Sequence, residues 1–210
     1  MNSRSNFPNS LSNDDLRRQF NDAGMAVLEQ ALPALIAEEV RMKFKNAEYE
    51  RIDQIREHHY EHVFKTESPF LPKPGEHYIA RFWRSRSLES GVFLQQFFVD
   101  YLRPTLQDLS GTHSEKVDLR AYKMTDGDQF RVHIDDYAGP VGFIYYLSKN
   151  WKWDWGGILM TAKGDDMVPS LPKFNQLIVL NHGKSRPPHM VTPVASFAAE
   201  PRYMLVGFLG

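Results

Sequence analysis

His133 and Asp135 are separated by one residue in the run Arg131-Val132-His133-Ile134-Asp135. In an extended strand alternate side chains share a face. The imidazole and the carboxylate can therefore meet at one metal ion, while Val132 and Ile134 point into the core. Taken alone, His-x-Asp is a common tripeptide that also fits a surface histidine beside a turn acid. His189 offers a third donor; Pro187 and Pro188 stiffen the approach to it, and an apolar strand follows. Two imidazoles and one carboxylate leave three coordination positions open, a donor set that suits iron(II). A 2-oxoacid can fill two of them and dioxygen the last. Arg202 stands at the head of the final strand, where a guanidinium can pair bidentately with the far carboxylate of a dicarboxylic acid. It also fits a strand-end surface arginine.

The elements that must position these residues lie mostly after residue 117. Short runs rich in Val, Ile, Tyr and Phe alternate there with Gly, Pro and Asp turns, predicting strands at 117–124, 129–133, 142–147, 157–161, 177–181, 190–194 and 203–209. So many short strands suggest a sandwich or jelly-roll barrel. The first half reads mainly as helix. Ser12 or Asn13 can cap a helix that Gly24 ends, 25–28 is a short strand, and Pro33 opens a second helix. Residues 46–74 read as a helix end and a surface loop. Tyr78 to Trp83 is a strand candidate. Residues 88–109 form the strongest helical pattern, with Leu88, Val92, Phe93, Phe97, Tyr101 and Leu102 on one face and Pro104 kinking or dividing it. Helices first and strands second give an α+β fold class, with N-terminal helices supporting a β core.

Composition narrows the classes of function. The 210 residues carry 25 Lys and Arg against 26 Asp and Glu, for a formal net charge of −1, so the basic field that gathers nucleic acid or anionic lipid is absent. There is no cysteine, which excludes disulfides and thiolate metal sites. Residues 1–12 are polar, lack the apolar stretch of a secretory signal, and are expected to be disordered, with 13–210 forming one domain. No run approaches the ~20 apolar residues of a membrane span. A soluble, cytoplasmic protein without membrane or nucleic-acid partners is expected.

Taken in chain order, several motifs resemble the 2-oxoglutarate/Fe(II) dioxygenase superfamily. They are Ala121-Tyr122, Arg131 to Asp135, Ile144-Tyr145-Tyr146-Leu147-Ser148-Lys149-Asn150-Trp151, Gly156-Gly157-Ile158-Leu159, Pro172-Lys173-Phe174, Pro188-His189 and Arg202-Tyr203. The likeness is to the prolyl 4-hydroxylase-like branch, above all to the prolyl hydroxylases that act on hypoxia-inducible factor, and it spans roughly residues 78–208. It implies a double-stranded β-helix (jelly-roll) core. It also implies Fe(II) on His133, Asp135 and His189, and 2-oxoglutarate as co-substrate with its C5 carboxylate on Arg202 and Tyr146. Tyr122 would stand beside the iron and the substrate path, and Ile144 and Leu159 would be apolar walls. Gly156 and Gly157 would allow a tight turn near the iron. The implied reaction is hydroxylation of a protein or peptide, at a prolyl residue, with release of succinate and CO2; ascorbate would be an accessory reductant. A halogenating relative would need the Asp135 position vacant, so its carboxylate points to hydroxylation.

The sequence departs from the oxygen sensors in four places. The stretch 195–201 is longer, Phe208 replaces a tryptophan, a pocket arginine is missing around Gly139–Pro140, and no C-terminal helix is expected after Gly210. These bear on the substrate. A free amino acid or other small metabolite is therefore the rival target; a non-catalytic cupin-like sensor and a zinc hydrolase on the same ligands are further rivals. Of the remaining features, the His58-His59-His62 cluster reads as a solvated face, a lid or a second metal site. Residues 81–86 read as a strand edge that could line a substrate entrance. Trp151, Trp153 and Trp155 read as sharing one face of an extended segment. His113 and His182 read as structural, and Asp136, Asp165 and Asp166 as turn residues, with Asp136 also able to contact substrate.

Overall fold

A computed structural model describes residues 12–57, 77–135, 139–163, 166–184 and 187–210. The expectations for residues 1–11, for the His58-His59-His62 cluster, and for Asp136 and Asp165 fall outside these residues.

Helix α1 (Asn13–Asp22) is opened by Ser12. Its hydroxyl accepts from the Asp15 N–H at 3.2 Å, and its own N–H donates to the Asp15 carboxylate at 3.3 Å. This reciprocal pair satisfies two N–H groups that the first turn leaves without partners. Gly24, at φ 73, turns the chain into β1 (Met25–Leu28), and α2 (Ala34–Lys45) starts after Pro33.

Residues 50–57 correct the sequence reading. They form β2 (Glu50–Glu57), paired along its length with β3 (His77–Arg84). The only apolar residues of β2, Ile52 and Ile55, are three apart and so face opposite ways; Ile55 is exposed. Backbone pairing rather than an apolar period defines this strand. The long helix expected at 88–109 is also corrected. It is divided into α3 (Arg86–Ser90), α4 (Val92–Phe97), a π-helical turn (Phe98–Leu102) and α5 (Arg103–Ser110). The wide turn comes just before Pro104, which has no N–H to continue an α register. The break at Gly91 resets the phase, so Val92 is exposed and the buried face runs through Leu94, Phe97, Phe98, Leu102 and Leu106.

The strand-rich half contains β4 (Val117–Met124), β5 (Gln129–His133), β6 (Val141–Tyr146), β7 (Leu159–Lys163), β8 (Asp166–Ser170), β9 (Gln176–Asn181), β10 (His189–Val191) and β11 (Arg202–Leu209). Only β8 has no counterpart in the sequence reading. It contains Pro169 and sits at the end of the sheet, where a missing N–H costs no central ladder bond. The strand order is β1-β9-β6-β11-β4-β3-β5-β10-β7-β8, with β2 beside β3.

This sheet curls into a jelly-roll core. Side chains from β6, β9 and β11 (Ile144, Ile178, Met204) meet those from β5, β7 and β10 (Phe130, Leu159, Val191) in one inner cluster. The opposite faces of β6, β9 and β11 bury Phe143, Val179 and Leu205 against the helices in a second cluster. Central strands covered on both faces explain why β6 and β9 are buried at every position. Asn175, buried and at φ 62, ties the loop before α2 to the barrel. Its carboxamide bonds both the N–H and the carbonyl of Leu32 and accepts from the Tyr145 hydroxyl. The tryptophan expectation fails. Residues 153–155 form a 3₁₀ turn, Trp151 and Trp155 pack edge to face at 5.2 Å, and Trp153 is exposed. Among the described residues no helix is long and apolar enough to cross a membrane.

Candidate active site

The antiparallel register of β5 and β10 sets His133 directly opposite His189 and brings their ring centroids to 4.3 Å. Each Nδ1–H donates to a carbonyl two residues upstream, His133 to Arg131 at 2.8 Å and His189 to Pro187 at 3.0 Å. Those bonds fix both rings in the tautomer that leaves Nε2 as the lone-pair donor. Asp135 lies past the end of β5, so it reaches the site from the turn; Val132 and Ile134 are half-buried, not fully in the core. The Asp135 carboxylate stands 3.3 Å from His189 Nε2 and 3.8 Å from His133 Nε2. One donor atom from each of the three lies within 4.8 Å of the others, a spacing at which all three can hold one ion.

Burial pushes the Asp135 carboxyl up, but the hydrogen bond and charge of His189 outweigh it, and the net direction is well below the ordinary range. Burial pulls His189 down, and Asp135 outweighs it in turn, so its net direction is up. Without a metal the site thus favours a carboxylate beside a protonated imidazole.

These residues open into a cavity of about 320 Å³, with Ile144 and Leu159 among its walls. Arg202 also lines it and is wholly buried. Its Nη2 donates to the Tyr146 hydroxyl at 3.2 Å, and Nη1 contacts the sulfurs of Met124 and Met204. Its Nε is buried without a partner, and no carboxylate of the described residues pairs with it. Burial accordingly lowers its pKa, with the Tyr146 oxygen giving only partial relief. Tyr122 is buried against Phe82, ring centroids 4.6 Å apart, and burial pushes its hydroxyl up to about 12, so it stays protonated. Gly156 and Gly157 both have positive φ, 63 and 61. A Cβ on Gly156 would lie 1.9 Å from the Pro193 oxygen, and one on Gly157 would lie 2.9 Å from Arg202 Cδ.

All eight site residues expected from the sequence therefore surround one cavity or, for Tyr146, bond to a residue that lines it. Of residues 81–86, Phe82, Arg84 and Arg86 line it. Three polar lining residues had no site role in the sequence reading: Arg120, Gln54 and His182. His182, read from the sequence as structural, is 2% exposed, and positive charge on its ring lowers the Asp135 pKa. Gly142 makes room for it, since a Cβ there would lie 2.4 Å from the imidazole. The alternation of Asp118, Arg120 and Tyr122 along β4 was the available signal, as it puts Arg120 on the face of Tyr122.

Residues 118–210 match the family model described as the 2OG-Fe(II) oxygenase superfamily. That match falls on the strand-rich half of the chain, the half that carries the candidate site. Enzymes of this superfamily are oxidoreductases that use Fe(II) and 2-oxoglutarate with O2, and the two-imidazole, one-carboxylate set fits that metal. Among solved structures, a Pseudomonas putida prolyl-4-hydroxylase is 19% identical, covers 94% of this chain and 98% of its own, and superposes with a TM-score of 0.62. A Trichoplax adhaerens prolyl hydroxylase, in complex with a hypoxia inducible factor oxygen degradation domain peptide fragment, is 16% identical, covers 94% and 88%, and has a TM-score of 0.67. A 2OG-Fe(II) oxygenase family oxidoreductase from Burkholderia pseudomallei is 16% identical, covers 95% and 90%, and has a TM-score of 0.66. At these identities the likeness is one of fold. No curated protein matches the chain in sequence.

Proposed function

We propose that the protein is a hydroxylase that binds Fe(II) on His133, Asp135 and His189 and 2-oxoglutarate between that triad and Arg202. The observation that carries this reading is the lone buried guanidinium. A buried charge without a partner costs several kcal/mol. Arg202 has no carboxylate of its own among the described residues, and it shares a cavity with a metal-type donor set. A five-carbon diacid supplies what is missing at both ends.

When bound, Fe(II) and 2-oxoglutarate supply the oxidising chemistry that activates O2 and oxygenates a C–H bond. The protein's own residues do the rest. Arg131 and Pro187 carbonyls hold the two imidazoles so that Nε2 faces inward. Asp135 contributes negative charge at the same point. Arg202 and Tyr146 receive the C5 carboxylate, Arg202 through paired N–H donors and Tyr146 through its hydroxyl. Ile144, Leu159 and Phe130 exclude water from the co-substrate. Tyr122, protonated, offers an O–H beside the reacting groups.

A prolyl residue is the target that the fold likeness supports, since one similar enzyme is a prolyl-4-hydroxylase and another was solved with a peptide. The cavity favours a second reading, a free amino acid or other small acid: about 320 Å³ is near the small end of ligand pockets, and 2-oxoglutarate takes part of it. Purified protein given Fe(II), 2-oxoglutarate and O2 should release succinate. Succinate release that does not depend on iron would overturn the assignment, as would none with any prolyl peptide or amino acid.

A further inference from the structure

The charge on the cavity wall is one-sided. Among the described residues, Arg84, Arg86, Arg120 and Arg202 line it, against a single carboxylate, Asp135. The carboxylates that neutralise the first three stand outside the lining: Glu89 behind Arg84 at 2.8 Å, Glu50 behind Arg86 at 2.5 Å, and Asp118 beside Arg120 at 3.0 Å. Arg202 answers the co-substrate under the reading above, so it does not account for the other cations.

Arg120 is placed for more than its ion pair. Its Nε and Nη2 both bond the same oxygen of Asp118. The other Asp118 oxygen makes no hydrogen bond among the described residues. The guanidinium lies over the Phe208 ring, 4.9 Å from its centroid, which holds it flat and largely out of water. It also faces the Tyr122 hydroxyl across the strand-alternation distance of two residues. That hydroxyl, held protonated by burial, accepts a hydrogen bond from Arg120 and keeps its own proton to donate. Arg84 pairs with Tyr122 in the β3–β4 register, so a second cation adjoins the same hydroxyl.

We infer that Arg120 and Tyr122, with Arg84 behind them, form a subsite for the carboxylate of a small substrate, a free amino acid. This rests on the hydroxylase reading above and names the class of its target. A carboxylate there gains N–H donors from Arg120 and an O–H from Tyr122, and the half-exposed Asp118 remains to accept from the ammonium group. An internal residue of a peptide has neither charge, so the subsite separates the two target classes.

The test is ligand-observed NMR on zinc-loaded protein with 2-oxoglutarate, using free L-amino acids including proline, their carboxamides, and an end-blocked prolyl peptide. At least one free acid should bind roughly 10-fold more tightly than its amide, the scale of one charge-assisted hydrogen bond. Arg120→Gln should abolish that preference. Asp118→Asn, at a half-exposed position, keeps the guanidinium and frees its donors, so the acid-over-amide ratio should hold or rise even if Arg120→Gln fails to fold. If no acid outbinds its amide, or if the blocked peptide binds as well as the best acid, the subsite is overturned. Failure of 2-oxoglutarate itself to bind in the same samples would instead overturn the hydroxylase reading beneath it.

Discussion

Arg202 donates from Nη2 to the Tyr146 hydroxyl at 3.2 Å, and both side chains are fully shielded from solvent. A phenol is a weak partner for a buried cation, and the remaining contacts are to methionine sulfur. The position is better suited to the ligated protein than to the empty one.

Arg202→Met should therefore separate function from stability. Loss of a charged hydrogen bond worth roughly 1.5–3 kcal/mol weakens 2-oxoglutarate binding about 10- to 150-fold. The ligand-free variant should melt no lower than the parent, because the desolvated charge is gone. Thermal denaturation with and without 2-oxoglutarate reads both effects. An unchanged shift of the melting point by 2-oxoglutarate would remove Arg202 from the co-substrate site.

Asp135 and His189 couple stability to pH in metal-free protein. Asp135 has a lowered folded pKa, so its share is present above its ordinary value of 3.8 and lost as pH falls through the lowered one. His189 has a raised folded pKa, so its share is present below 6.5 and lost as pH rises through the raised one. The pair contributes most between those two ordinary values. Urea midpoints measured across this range should show an advantage of the parent over Asp135→Asn that shrinks toward both ends. Asp135→Ala should also lose Fe(II) affinity; full iron occupancy in that variant contradicts the triad.

Gly156 and Gly157 should respond differently to alanine. At 156 the new Cβ meets a fixed backbone oxygen at 1.9 Å with φ 63, so the turn itself is disrupted and stability falls by roughly 3 kcal/mol or more. At 157 the nearest contact is Arg202 Cδ at 2.9 Å, the middle of a side chain that can shift. Gly157→Ala should fold, at a cost of about 1–2 kcal/mol, and raise the KM for 2-oxoglutarate by displacing Arg202. An unchanged KM in a folded Gly157→Ala protein would argue against that route.

Asn175→Ala should cost roughly 2–4 kcal/mol, since it strands the Leu32 N–H and carbonyl and the Tyr145 hydroxyl in the interior. Chemical denaturation measures this directly. A loss under about 1 kcal/mol would mean that other groups satisfy them.

The residues of the candidate site were more legible in the sequence than the scaffold around them. The bounds of β4 and β5 were readable because apolar alternation and turn residues coincide there, and the triad because it is a two-residue spacing plus a proline-marked histidine. β2 was not, since its two isoleucines face opposite ways and its neighbour β3 supplies the order. The four-part helix was hidden because Gly91 and the π turn shift the phase of an apolar pattern that looks continuous. Arg120 and His182 look like ordinary polar residues along the chain. Only the register of β4 with β3 and β11, and the space above Gly142, turn them toward the cavity.

The most direct test is a calorimetric titration of Mn(II)-loaded protein with 2-oxoglutarate and, separately, with pyruvate, which has the same oxoacid end and no distal carboxylate. The account predicts metal-dependent 2-oxoglutarate binding at least about 10-fold tighter than pyruvate, with the difference erased in Arg202→Met. Equal affinities in the parent protein, or binding that ignores the metal, would contradict it.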